Sequence, residues 1–270
     1  MFSGLHPIRM AASDDFGRSW SELEPIGDYG GIVATASLAQ RDDGSLVTWF
    51  HDDGRFIVEG GREGAKEAGL DHGLASGFVV YQIESGDGGR TWNEPRAIAH
   101  DPSVHLCEPG LVTSPDGSVW ALLLRENSRT RNSFVIFSED AGETWGEPRE
   151  LPGALTGDRH TAVYAPDGRL FISFRDTTHE SPTKGDWVAW VGTWEDIVQG
   201  REGQYRVRLE DNRHRWDCAY PGVVLLPDGT IVTTTYGHWA DGESPWILSV
   251  RLRLEELDAL AQKLDGEVDR

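Results

Sequence analysis

The sequence predicts an all-β fold, a propeller of four-stranded antiparallel blades, and three observations point there. An octapeptide, S-x-D-x-G-x-x-W, recurs three times, at 13–20, 85–92 and 138–145. Asp-Gly dipeptides separate apolar runs at four places: Asp43-Gly44, Asp116-Gly117, Asp167-Gly168 and Asp228-Gly229. The composition, with 11 Trp and 32 Gly at 38% hydrophobic residues, suits short strands joined by tight turns and excludes a disordered chain.

Each copy of the octapeptide reads as a hairpin turn. Its Ser and Asp bond the turn's own backbone, its Gly supplies a positive φ, and its Trp fills a gap between neighbouring sheets. Trp20, Trp92 and Trp145 are therefore expected at outer blade edges, with Trp194 equivalent to them in a degenerate copy at 191–197. Asp-Gly between apolar runs is the strongest short-range hairpin signal. It predicts strand pairs at 32–38 and 46–50, 110–113 and 119–124, 161–164 and 170–174, and 223–226 and 231–235. The turn Asp residues stand 73, 51 and 61 positions apart, a spacing of four-stranded units with variable loops.

The chain is accordingly read as one domain over 1–270. It divides into a partial blade at 1–28, blades at 29–100, 101–155, 156–215 and 216–255, and a tail at 256–270. One strand, 8–12, precedes the first octapeptide, so the first blade is expected to lack its inner hairpin, with further sequence upstream of Met1. The strand at 247–254 could close a ring by pairing with an outer element, and 255–264 reads as a terminal helix.

Lys and Arg number 25 against 45 Asp and Glu, a net charge of −20. Phosphate backbones and anionic bilayers need a basic footprint, so nucleic-acid and membrane partners are not expected. No apolar run approaches the roughly 18 residues of a membrane span. The N-terminus shows no basic start with a long apolar stretch, so a cytoplasmic location is expected as the chain stands, or a secreted or periplasmic one with an upstream segment. Two cysteines, Cys107 and Cys218, make no disulfide framework and are expected as free buried thiols.

Aligning the hairpins on their Asp-Gly turns brings chemistry into phase. Eight residues before each turn Asp stand Thr35, Glu108, Arg159 and Tyr220. At the end of the following strand stand His51, Arg125, Arg175 and Tyr236, seven residues after the turn Gly, or eight for Arg125. Equivalent repeat positions lie at equivalent heights, so these side chains are expected at one mouth of the propeller, where ligand sites occur. Singly, each could be a solvated strand-end charge.

On these residues the chain resembles the sialidase (neuraminidase) superfamily. The octapeptides are similar to its Asp box. The stretch Cys107-Glu108-Pro109-Gly110, followed by Asp116-Gly117 and Leu124-Arg125, is similar to the one carrying the activating Glu and a carboxylate-binding Arg. Cys218-Ala219-Tyr220-Pro221 is similar to the one carrying the nucleophilic Tyr. The resemblance implies a six-bladed, N-terminally incomplete propeller that hydrolyses terminal sialic acid or a related acidic sugar with retention. A neutral Tyr220 hydroxyl activated by Glu108 would avoid the repulsion between an anionic nucleophile and the anomeric carboxylate. Planar bidentate donors for that carboxylate would come from Arg125, Arg159 and Arg175, with His51, His160 and Tyr236 lining the site.

Two family features are displaced. The Arg-Ile-Pro motif is absent, and Arg9 in His6-Pro7-Ile8-Arg9 is the nearest local Arg. The acid/base Asp is expected at Asp52 or Asp53, where a long loop to Gly77 begins, although Asp53-Gly54 also reads as a plain turn. His160 reads equally as a hydrogen-bonded strand-end residue, and Arg213 or Arg215 could replace Arg159. The His spacings considered suggest no zinc site, and no cofactor is implied. The expected partner is an acidic glycan; the oligomeric state is not legible. Rival readings are a propeller glycosidase or lyase acting on uronic-acid glycans through Tyr220, Tyr236 and His51, or a non-catalytic sugar- or protein-binding module.

Overall fold

The computed structural model describes residues 7–33, 35–68, 77–214 and 216–268. The chain forms two compact units, Met1–Glu150 and Leu151–Arg270.

In the first unit, β1 (Pro7–Met10) and β2 (Glu24–Gly30) form a two-stranded sheet. The first four-stranded blade contains β3 (Ser37–Gln40), β4 (Leu46–Asp52), β5 (Val79–Ser85) and β6 (Arg96–Ala99). A second contains β7 (Leu106–Thr113), β8 (Trp120–Glu126), β9 (Phe134–Ser138) and β10 (Arg149–Glu150). Every pairing is antiparallel between strands consecutive in sequence, as short hairpin links require. The segment after Asp52, expected as an unbroken loop, contains a short helix, α1 (Gly61–Glu67), which buries Ala65.

Alternating residues of these strands face their neighbours. Val47, Trp49 and Val80 of the first blade pack with Trp120, Leu122, Leu124 and Ile136 of the second. Behind the first blade, Phe50, Val79, Tyr81 and Ile83 pack with Ile8 and Tyr29 of the two-stranded sheet.

The octapeptide turns are built as their residues dictate. In the copy at 85–92 the Ser85 hydroxyl accepts from Gly89 N at 2.8 Å, and Asp87 Oδ1 accepts from Arg90 N and Thr91 N at 3.0 and 2.9 Å. The Thr91 hydroxyl, which donates to Asp87 Oδ2 at 2.7 Å, together with the Thr91 N–H and the Ser85 hydroxyl, holds the Asp87 carboxyl down at about 2, and Asp15 and Asp140 are held there by equivalent bonds. Trp145 does pack against the inter-blade core, and its indole donates to Gln82 Oε1, which also accepts from Trp49, both at 2.8 Å. Trp92 packs against the other core, whereas Trp20 does not wedge as expected: it is 65% exposed and donates to Gly17 O within its own turn.

In the second unit, β11 (Gly157–Tyr164), β12 (Leu170–Asp176), β13 (Trp187–Gly192) and β14 (Tyr205–Glu210) form a four-stranded blade. The 191–197 segment departs from expectation. It is not a degenerate turn but the start of α2 (Trp194–Gln199), because Thr193 and Asp196 form a reciprocal capping box.

The last sheet contains β15 (Gly222–Leu225), β16 (Ile231–Gly237) and β17 (Trp246–Leu252), three strands among the described residues. Among the described residues, the C-terminal strand β17 runs antiparallel beside β16 of its own sheet. The helix α3 (Leu254–Val268) follows it. Phe171, Ala189 and Val191 pack with Ile231, Leu252 and Leu254, so helix and sheet share one core.

Candidate functional site

Strand ends carry the candidate residues, and β-bulges decide where they point. Glu108 and Arg159, at the same repeat position, both have positive φ, 49° and 59°. Each falls in a register shift, between Cys107 and Gly110 in β7 and between Asp158 and Thr161 in β11. A bulge inserts a residue and re-aims its side chain, and left-handed backbone at a non-glycine costs on the order of 1–3 kcal/mol. In the last sheet the left-handed residue is Ala219, φ 57°, one position before Tyr220. The repeat equivalence thus holds in two blades and slips by one residue in the last.

In the first unit the cluster comprises His51, Glu108 and Arg125. Arg125 Nη1 pairs with Glu108 Oε1 at 3.0 Å, and its Nη2 donates to Asn127 Oδ1 at 2.6 Å. Glu108 N donates to His51 Nδ1 at 3.4 Å, which places the proton of a neutral His51 on Nε2. The ring of Phe78 lies 5.3 Å from His51, closing that side.

Asp52 and Asp53 have opposite environments. Asp53 pairs with Arg55 at 2.7 Å and Arg62 at 2.9 Å. Burial would raise its carboxyl, but the two guanidiniums outweigh burial and hold it below the ordinary value. Asp52 is fully buried; its Oδ2 accepts from Phe56 N and Ile57 N, and its Oδ1 has no hydrogen-bond partner among the described residues. Desolvation, aided by the Asp53 charge, pushes its carboxyl up. The two neighbouring carboxyls are thus shifted in opposite directions, Asp52 up and Asp53 down.

A raised carboxyl binds its proton more tightly in the folded chain than in the unfolded one. Its contribution to stability is full below the unfolded value, near 3.8, and is lost as pH rises through the folded value. Asp52→Asn is therefore expected to gain stability relative to the parent as pH rises from 4 to 7. Urea denaturation at the two pH values reads this, and a pH-independent difference would contradict it.

In the second unit the cluster centres on Tyr220, which is 38% exposed. The Arg159 guanidinium lies 4.8 Å from its ring centroid and that of Arg175 5.9 Å, while Tyr236 stacks on it at 6.1 Å. Arg175 is buried and bound within the protein. Its Nε donates to Asp158 Oδ2 at 2.9 Å, its Nη2 contacts the same oxygen, and its Nη1 donates to the carbonyls of Trp216 and Cys218. That corrects its expected role as a substrate-carboxylate ligand: its fork is spent on Asp158 and on the segment entering Tyr220, leaving Arg159 beside the exposed ring.

His160 is likewise inside its blade. Its Nε2 donates to Leu155 O at 2.8 Å, its ring stacks near Phe174, and burial lowers its imidazole to about 4. It is buried in the blade at 3% exposure. Arg9 bonds the Leu23 carbonyl in the two-stranded sheet, and Arg213 pairs with Asp211 at 2.8 Å. Arg215 lies outside the described residues. Cys107 and Cys218 are buried thiols, not joined in a disulfide, and desolvation pushes the Cys218 thiol up to about 12.

Two features were not anticipated. The Asp158–Arg175 pair was legible in principle, since the two residues face each other directly across β11 and β12. The second is a polar chain beside the stacked tyrosines: Tyr236 Oη donates to Asp217 Oδ1, and His238 Nε2 bonds Asp217 Oδ2, both at 2.9 Å. His238, foremost among these partners, holds the Asp217 carboxyl below its ordinary value. With His214 this forms a three-residue cluster able to hold a metal ion.

Residues 5–233 match the BNR repeat-like domain family. The chain is 29% identical over 187 residues to a sialidase of Paraclostridium sordellii, covering 63% of this chain and 44% of that protein. A protein of unknown function from Dyadobacter fermentans matches 91% of the chain, and 63% of its own, at TM-score 0.69 and 18% identity. The NanB sialidase of Streptococcus pneumoniae, in its K499G form, matches 92% of the chain and 36% of its own at TM-score 0.60 and 17% identity. The chain therefore spans less than half the length of the curated sialidase. The structural likenesses establish the fold as an all-β propeller of four-stranded antiparallel blades. Three octapeptide turns, the blade sheets and the match over most of its length agree, and the chain belongs to the BNR repeat-like domain family of sialidase-related propellers.

Proposed function

We propose that the chain is a sialidase-like glycoside hydrolase, retaining, acting on terminal sialic acid or a related acidic sugar. The observation that carries this reading is the exposed Tyr220 ring with the Arg159 guanidinium 4.8 Å from its centroid. A phenol offered to solvent beside a cation suits both parts of the task. Its oxygen can attack a carbon that already bears a carboxylate, and the guanidinium can receive that carboxylate with two parallel hydrogen bonds. Tyr220 is assigned as nucleophile, with Arg159 as the carboxylate ligand beside it. Within the first unit, Arg125 serves to hold Glu108. Arg175 positions the Tyr220 segment through its carbonyls.

Release of the aryl group from an aryl sialoside tests the reading. The expected result is turnover, with the first-formed sugar retaining its anomeric configuration by NMR. Preferential turnover of an aryl glucuronide would move the assignment to uronic-acid glycans. Calorimetric binding of sialic acid without turnover would make the chain a binding module.

A further inference from the structure

We propose that His214, Asp217 and His238 form a binding site for a divalent first-row transition metal ion of the zinc class. His214 and Asp217 lie three residues apart on the connection between β14 and β15, and His238 follows β16, so the fold brings His238 to the other two. One ligand atom from each lies within 4.8 Å of the others. Zinc bonds of about 2.0–2.1 Å put tetrahedral ligands roughly 3.4 Å apart, so a modest rotation of the exposed His214 completes the set.

The donor set identifies the ion class. Two imidazoles and one carboxylate are borderline ligands, suited to Zn²⁺ and its neighbours and poorly to Ca²⁺ or Mg²⁺, which take oxygen shells. Three protein ligands leave a position open for water or another ligand.

The surroundings resemble the outer shell of a metal site more than a chance meeting of surface groups. Tyr236 Oη donates to the second Asp217 oxygen at 2.9 Å, leaving Oδ2 directed at His238. The buried Asn212 ties both histidine backbones together. Its Oδ1 accepts from His238 N at 3.1 Å and His214 N at 3.5 Å, while its Nδ2 donates to Gly185 O and His214 O. Arg213 N donates to His238 O at 2.8 Å, closing the same loop pair. The imidazole rings already lie face to face, centroids 4.7 Å apart. Such supporting contacts typically contribute 10- to 100-fold in metal affinity.

Calorimetric titration of the EDTA-stripped, dialysed full chain with Zn²⁺ tests the proposal. One equivalent is expected to bind with Kd of ~1 μM or tighter. His214→Ala, at an exposed position that leaves the fold intact, is expected to weaken binding at least ~100-fold, and Tyr236→Phe about 10-fold. Co²⁺ in place of Zn²⁺ should show the intense visible absorption of a four-coordinate ion, lost in His214→Ala. Absence of binding heat, or a Kd for His214→Ala equal to the parent's, overturns the site. Neither readout involves glycoside hydrolysis, so the proposal stands or falls apart from the proposed activity.

Discussion

Tyr220→Phe is expected to lower kcat on an aryl sialoside by at least ~10³-fold, about 4 kcal/mol of transition-state stabilisation, with KM changed only a few-fold. The substitution removes one atom. The ring remains, and with it the cation contacts to Arg159 and Arg175 at 4.8 and 5.9 Å and the stack on Tyr236 at 6.1 Å. Any platform or binding role of Tyr220 survives in the variant, while any role of its oxygen does not. A kcat equal to the parent's would remove Tyr220 as nucleophile and leave it as a stacking surface.

Arg175→Met is expected to destabilise the chain by about 3–5 kcal/mol, because it leaves the Asp158 carboxylate buried without its cation. The two side chains are 8% and 0% exposed, so water cannot replace the guanidinium. Arg175→Met with Asp158→Leu should recover most of that loss in urea denaturation, since no buried charge remains. Activity should not return with stability. The Trp216 and Cys218 carbonyls still lack the donor that holds the segment entering Tyr220. A double variant as active as the parent would show that Arg175 only balances Asp158 and positions nothing.

Much of the fold is legible in local chemistry. Asp-Gly turns and octapeptide boxes specify their conformation within a few residues, through side chain to backbone bonds such as Asp87 to Thr91 N. The strand pairs flanking them follow from hairpin geometry. Local reasoning fails at 191–197, where Trp-Glu-Asp reads as a turn by analogy until the Thr193–Asp196 capping box is seen to start a helix. It fails also at Trp20, whose octapeptide is intact but which is left 65% exposed, because the sequence specifies the turn and not what lies against it.

For the candidate site, the sequence by itself determined which residue types stand at which repeat positions. Glu108, Arg159 and Tyr220 share one phase, and His51, Arg125, Arg175 and Tyr236 share another. Only the tertiary structure decided what each touches. Bulges at Glu108 and Arg159 re-aim their side chains, and burial pushes the Asp52 carboxyl up while two arginines hold that of Asp53 down. The facing positions of Asp158 and Arg175 turn an expected ligand into an internal strut. Asp217 and His238 meet only because β16 and the segment before β15 run side by side. The reason is physical: turn geometry is set by neighbours in the chain, whereas a side chain's partners, desolvation and charge depend on groups the chain brings back from far away.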